Sequence, residues 1–125
     1  MPRIAITVTT PDPQAEVDFR FGRAPFFMLF DTGTEEWTPL ANPGLEASGG
    51  AGVRAAQFLA DRRVQAVVSG AFGPNAFRVL DAAGIAMYHF DSRSTCRQVV
   101  ESYQSGGLAR ASEASGRGRS GGGPA

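Results

Sequence analysis

The sequence predicts an α/β domain, a single mixed five-stranded sheet flanked by helices, and three observations carry that expectation. Residues 64–88, VQAVVSGAFGPNAFRVLDAAGIAMY, read as a buried strand, a glycine-bearing loop, a short helix and a second buried strand. That is the compact crossover of a parallel sheet. Two earlier β-like runs flank the tight turn Thr32-Gly33-Thr34, which suits an antiparallel hairpin. The order β, β, β, α, β, α, β, α then joins the hairpin to the parallel part in one sheet.

Each element has its own signal. Residues 3–9 (RIAITVT) are rich in β-branched side chains, and a polar, proline-bearing loop follows to Asp18. Residues 26–31 (FFMLFD) form an apolar run bounded by Pro25 and Gly33. Residues 35–40 (EEWTPL) pair back onto it, with Pro39 marking an early end or an edge. Residues 51–62 are helical, with Val53, Ala56, Phe58 and Leu59 on one side and Arg54, Gln57 and Asp61 toward solvent. Residues 64–69 are the fourth strand, 75–83 the next helix with Gly84 ending it, and 85–89 the fifth strand. Residues 94–103 are a last helix capped by Ser94 or Thr95. The domain spans residues 1–104. Residues 105–125 have Leu108 as their one large aliphatic side chain, too little apolar surface to offset ordering, and read as a flexible Gly/Ser/Arg-rich tail.

Composition narrows the function. A chain of 125 residues with 42% apolar content makes one domain with a real core. Its formal net charge is zero, which argues against charge-driven nucleic-acid binding. All twelve basic residues are arginine, a bias that codon usage explains. One cysteine, Cys96, excludes an internal disulfide and an all-cysteine metal site. No apolar run reaches the ~18 residues of a membrane span, and no secretory leader is evident, so the expectation is a cytoplasmic protein with no membrane partner. An exposed strand edge is compatible with a monomer or a homodimer.

Three loops can meet at one rim of such a sheet, where helix starts and strand ends gather ligands. The first carries Arg20, Phe21, Gly22 and Arg23. Its guanidinium groups suit an oxyanion, or else pair with Asp18 or Asp31 while Phe19 and Phe21 fill the core. The second, Ser48-Gly49-Gly50-Ala51-Gly52, opens a helix whose free amides can hold an anion, although a plain helix start explains it equally well. It is neither a Walker A motif nor a dinucleotide fingerprint. The third holds Gly70, Phe72, Gly73 and Asn75. Phe72 either walls a pocket or packs on the helix, and Asn75 either bonds locally or reaches a ligand. His89 and Cys96 match no metal-site spacing. Cys96 is either activated by the helix start or buried and inert. No nucleophile elbow, HExxH or paired carboxylates appear, so the expectation is a protein that is not an enzyme.

These motifs in this order, FGRAPFFMLFD, NPG, GAG opening a helix, and SGAFGPNAFRVLDAAGIAMY, resemble the dinitrogenase iron–molybdenum cofactor biosynthesis family of NifX-like proteins and NifB C-terminal domains. The resemblance covers residues 3–108. It implies a ribonuclease H-like sheet without nuclease activity. It also implies a carrier of an iron–sulfur or iron–molybdenum cofactor precursor, or a related anionic metal species, with a protein partner in cluster assembly. By the same resemblance, Arg20, Phe21, Gly22, Arg23, Gly49, Gly50, Gly52, Gly70, Phe72, Gly73 and Asn75 are the binding positions, and there is no catalytic residue. Members that handle the cofactor often have histidine immediately before the Phe-Gly. Here that position is Arg20, which has no lone pair for a metal but attracts an anion. Two other readings stay open, a sensor of a small anionic metabolite and an adaptor whose exposed Phe21 and Phe72 meet a protein.

Overall fold

The computed structural model describes residues 3–46, 50–90 and 93–111. Strands β1 (Arg3–Val8), β2 (Phe26–Asp31) and β3 (Trp37–Ala41) precede a 3-10 turn over Pro43–Glu46. Then come α1 (Ala51–Asp61), β4 (Ala66–Ser69), α2 (Pro74–Ala82), β5 (Ala86–His89), α3 (Cys96–Ser105) and β6 (Ala109–Arg110). The strand order is β3-β2-β1-β4-β5-β6. β1 pairs antiparallel with β2 and parallel with β4, so it stands at the join between hairpin and crossover.

The central strands are buried on both faces, which is why their sequences are nearly continuous apolar runs. Ala5, Phe27, Leu29, Val67 and Met87 face a core shared with Ala55, Leu59, Ala76 and Leu80 of α1 and α2. Ile4, Ile6, Met28, Phe30 and Val68 face the other way, onto Cys96, Val99 and Val100 of α3. Each fully buried large side chain contributes about 1.5–3 kcal/mol relative to exposure. The two layers therefore pack α1 and α2 on one face of the sheet and α3 on the other.

The sheet has six strands rather than the five expected. Ala109 and Arg110, placed by the sequence reading in a flexible tail, pair with His89 and Tyr88 of β5. Ala111 donates its amide to Met87 and is buried. Composition hid this strand because two residues need no apolar run to complete a ladder on an open edge. The rest of the tail, residues 112–125, lies outside the described residues.

Pro39 sits on the edge strand β3, and the ladder shows why it is tolerated there. The Asp31 amide donates to Glu36, so Leu29↔Thr38 and Phe27↔Leu40 are the bonded pairs and Met28↔Pro39 is not. The amide that proline lacks would have pointed away from β2 (toward the open edge), where its loss also discourages pairing with another strand. At the hairpin turn, Asp31 accepts from the amides of Gly33 and Thr34. The Thr34 bond foremost holds its carboxyl below the usual carboxylate value. Among the described residues no helix is long and apolar enough to cross a membrane.

Candidate functional site

The rim is built from the root of the first loop upward. Thr7 at the end of β1 and Ser69 at the end of β4 are buried, with hydroxyls 2.9 Å apart. The Thr7 hydroxyl also lies 2.9 Å from the Asp18 carbonyl, and the Asp18 amide donates to the Thr7 carbonyl at 2.7 Å. From that anchor the chain bridges Arg20 to Ala71, with the Phe21 amide donating to Ala71. Phe21 then dives into the core against Phe27 and Phe72, with ring centroids 5.7 and 5.5 Å away.

Gly22 comes next and touches α1. A Cβ on Gly22 would lie 2.9 Å from the backbone of Gly52, and a Cβ on Gly52 would lie 3.2 Å from the Ala76 side chain in α2. Only the absence of side chains lets the first loop, the start of α1 and the start of α2 come this close. The result is an open depression of about 320 Å³ lined by Gly22, Arg23, Gly50, Ala51, Gly52, Gly73, Pro74, Asn75 and Ala76.

Both helix starts are uncapped. Gly50 precedes α1 with φ 69°, a left-handed conformation natural to glycine, and Gly73 precedes α2 with φ −68°; neither helix has a side-chain cap. The first intrahelical bonds reach back from Arg54 to Gly50 and from Phe77 to Gly73. The amides of Ala51, Gly52, Asn75 and Ala76 therefore precede the helical ladders, and Pro74 has none to give. Arg23 is exposed at the edge of the depression, and among the described residues nothing pairs with it. Two partial positive helix ends and a guanidinium side by side repel one another unless an anion lies among them.

The positions singled out in the sequence divide into three groups. Gly22, Arg23, Gly50, Gly52, Gly73 and Asn75 are brought together at the depression. Gly49 lies outside the described residues. Arg20, Phe21, Gly70 and Phe72 do not line it. Arg20 is exposed beside the Ala71 bridge, its amide bonded to Asp18 rather than its guanidinium. Gly70 is flattened beneath Phe19, whose backbone would lie 2.7 Å from an added Cβ. Phe21 and Phe72 are core residues, 1% and 0% exposed, so neither is a pocket wall or an adaptor surface. Of the two readings open for each, core packing is the one found, because the loops fold over the end of the sheet and close the core.

Three features were not legible beforehand. Asn42 is buried and hydrogen-bonded into the Arg23 loop, its Nδ2 donating to the Ala24 carbonyl. Ala76, in the first turn of α2, lines the depression opposite Ala51 of the second loop. His89 packs on Phe72 and places Nδ1 3.2 Å from the Gly70 carbonyl, a bond that steadies the third loop. Cys96, the first residue of α3, is buried, and desolvation foremost pushes its thiol up to about 12, the inert alternative. Among the described residues no group of three or more His, Cys, Asp or Glu could hold a metal ion.

The sequence matches the family model described as dinitrogenase iron-molybdenum cofactor over residues 2–106. The chain belongs to this family. Among solved structures, this family member is similar to the apo form of the orange protein from Desulfovibrio gigas, at 36% identity and a TM-score of 0.88. That likeness covers 92% of this chain and 97% of the orange protein. It is also similar to a NifB-like Thermotoga protein of the DUF35 family solved by NMR, at 29% identity and a TM-score of 0.76, covering 88% and 93% of the two chains. None of the curated proteins matches the chain.

Proposed function

We propose that this dinitrogenase iron-molybdenum cofactor family member is a non-catalytic carrier that holds an anionic metal species in the rim depression. The cargo class is an iron–sulfur or iron–molybdenum cofactor precursor, or a simpler oxyanion such as molybdate. One observation carries the reading: the Gly52–Ala76 contact sets two uncapped helix starts beside Arg23 in one open depression. Amide donors and a guanidinium match the outer sulfido or oxo atoms of an anion. They do not match bare metal, and the lack of a ligand cluster among the described residues fits that distinction. The cargo is thus gripped by its shell, and release needs no metal–protein bond to break.

In this reading Arg23 supplies charge, the amides of Ala51, Gly52, Asn75 and Ala76 supply direction, and Arg20 adds long-range attraction from outside the depression. The strand order β3-β2-β1-β4-β5, with the first three strands antiparallel, supports the ribonuclease H-like classification.

The test is anaerobic reconstitution with an iron–sulfur cluster precursor, followed by metal analysis, alongside calorimetric titration with molybdate. Retention of either by the wild type, and measurably weaker retention in Arg23→Gln with the fold intact, is the expected result. A well-folded wild type that retains neither overturns the carrier reading. A response to phosphorylated metabolites but to no metal species would make the protein a metabolite sensor.

A further inference from the structure

We propose that Asn42 is a positioning residue of this site, setting the polarity of the Arg23 loop so that its amides join the helix starts as a third donor set. The inference rests on the carrier reading above and adds a residue that does not itself line the depression.

Asn42 is 4% exposed and sits between β3 and the 3-10 turn. Its Oδ1 accepts from the Gly44 amide at 2.8 Å, which fixes which way the carboxamide faces. The Nδ2 group then meets three carbonyl oxygens of one loop: Ala24 at 2.8 Å, and Phe21 and Gly22 at 3.4 Å each. Carbonyls gathered at one donor have a geometric consequence. In a trans peptide the N–H points opposite to the C=O, and no peptide bond here is cis. The Phe21 carbonyl shares its peptide with the Gly22 amide, and the Gly22 carbonyl shares its peptide with the Arg23 amide. Both amides therefore point away from Asn42. Neither donates to another group among the described residues. Gly22 and Arg23 are the loop residues that line the depression.

Successive amides turned to one side form an anion-binding concavity. The same carboxamide ties this loop to α1. Gly44, held by Asn42, packs where an added Cβ would lie 2.5 Å from the Ala51 carbonyl and 3.0 Å from the Gly22 carbonyl. Asn42 thus fixes the loop wall and the helix wall relative to each other, acting through Gly22, Arg23 and Ala51 without touching the cargo.

The experiment pairs calorimetry with amide NMR, using molybdate as the probe. In the wild type, saturation with molybdate shifts the Gly22 and Arg23 amide protons downfield together with those of Ala51 and Gly52. In Asn42→Asp, which keeps the shape but donates nothing to the carbonyls, affinity falls about tenfold, the loss of one to two charge-assisted bonds. The Gly22 and Arg23 shifts disappear while those of Asn75 and Ala76 remain. Combining Asn42→Asp with Arg23→Gln separates loop polarity from mere guanidinium placement, because the amide contribution persists in Arg23→Gln alone. Wild-type binding with silent Gly22 and Arg23 amides overturns this proposal by itself, even if Asn42→Asp fails to fold. Equal molybdate affinity in a folded Asn42→Asp also overturns it. Absence of any binding by the wild type removes the carrier reading as well.

Discussion

The two sides of the sheet begin their helices in opposite ways. On one side, α3 starts with a complete capping box: the Gln98 amide donates to the Thr95 hydroxyl, and the Thr95 amide donates to the Gln98 side chain. Its start is satisfied within the chain. On the other side, α1 and α2 start at Gly50 and Gly73 with no side-chain cap, and their first amides border one depression. A Ser, Thr, Asp or Asn cap gains only about a few tenths of a kcal/mol over the glycine present, and the left-handed backbone at Gly50 favours glycine itself. The difference separates a helix whose start is closed by its own side chains from two whose starts are not, which is the contrast the proposed binding role rests on.

The comparison can be broken most forcefully at the packing that brings the uncapped starts together. Gly44→Ala drives a methyl into the Ala51 and Gly22 carbonyls. It should cost about 2–3 kcal/mol in urea denaturation, because backbone cannot rotate aside as a side chain can. Next comes supplying the missing cap. At Gly73 the backbone is extended and an added Cβ meets nothing within 4 Å, so Gly73→Asp fits. It should leave stability unchanged or raise it by a few tenths of a kcal/mol, while molybdate affinity falls roughly tenfold. Stability and binding moving apart in one variant is the signature of a donor set reserved for an anion; unchanged affinity would mean these amides serve no ligand.

The reciprocal change sharpens the contrast. Thr95→Ala removes the α3 cap and should cost about 1 kcal/mol by thermal or urea unfolding. Molybdate affinity should stay at the wild-type value, because α3 lies across the sheet from the depression. The smallest effect concerns pH on the α3 side. Burial holds the Cys96 thiol neutral up to about 12, whereas the unfolded thiol ionises near 9.0. Above that lower value the unfolded state has lost a proton that the native state keeps, so stability falls as pH rises. Urea midpoints between pH 8 and pH 10.5 should decline more steeply in the wild type than in Cys96→Ala.

Much of this architecture was legible as pattern. The run FFMLFD became β2 with the expected boundaries, because a central strand buried on both faces advertises itself by continuous apolar content. Gly84 and Thr95 likewise announced a helix end and a helix start through local backbone chemistry. Failures had physical causes. Phe72 stayed undecided between a pocket wall and core packing because a glycine-flanked aromatic in a loop has no local periodicity to show which way it points. Ala109 and Arg110 looked like tail because a two-residue strand borrows its order from the edge it joins. Arg20 and Arg23 both read as anion-binding positions in FRFGR, yet only Arg23 lines the depression.

Local chemistry written along the chain was enough to set the α/β class, the helix starts and the glycines that permit close approach, since each depends on a few neighbouring residues. Whether those glycines serve a turn or a contact depended on what stood opposite them. Gly22 against Gly52, Gly52 against Ala76 and Asn42 against three loop carbonyls are meetings between residues 18 to 30 positions apart. Such meetings arise only when the sheet has brought its loops to a common rim, because burial and hydrogen-bond direction are properties of the assembled neighbourhood and not of any single segment.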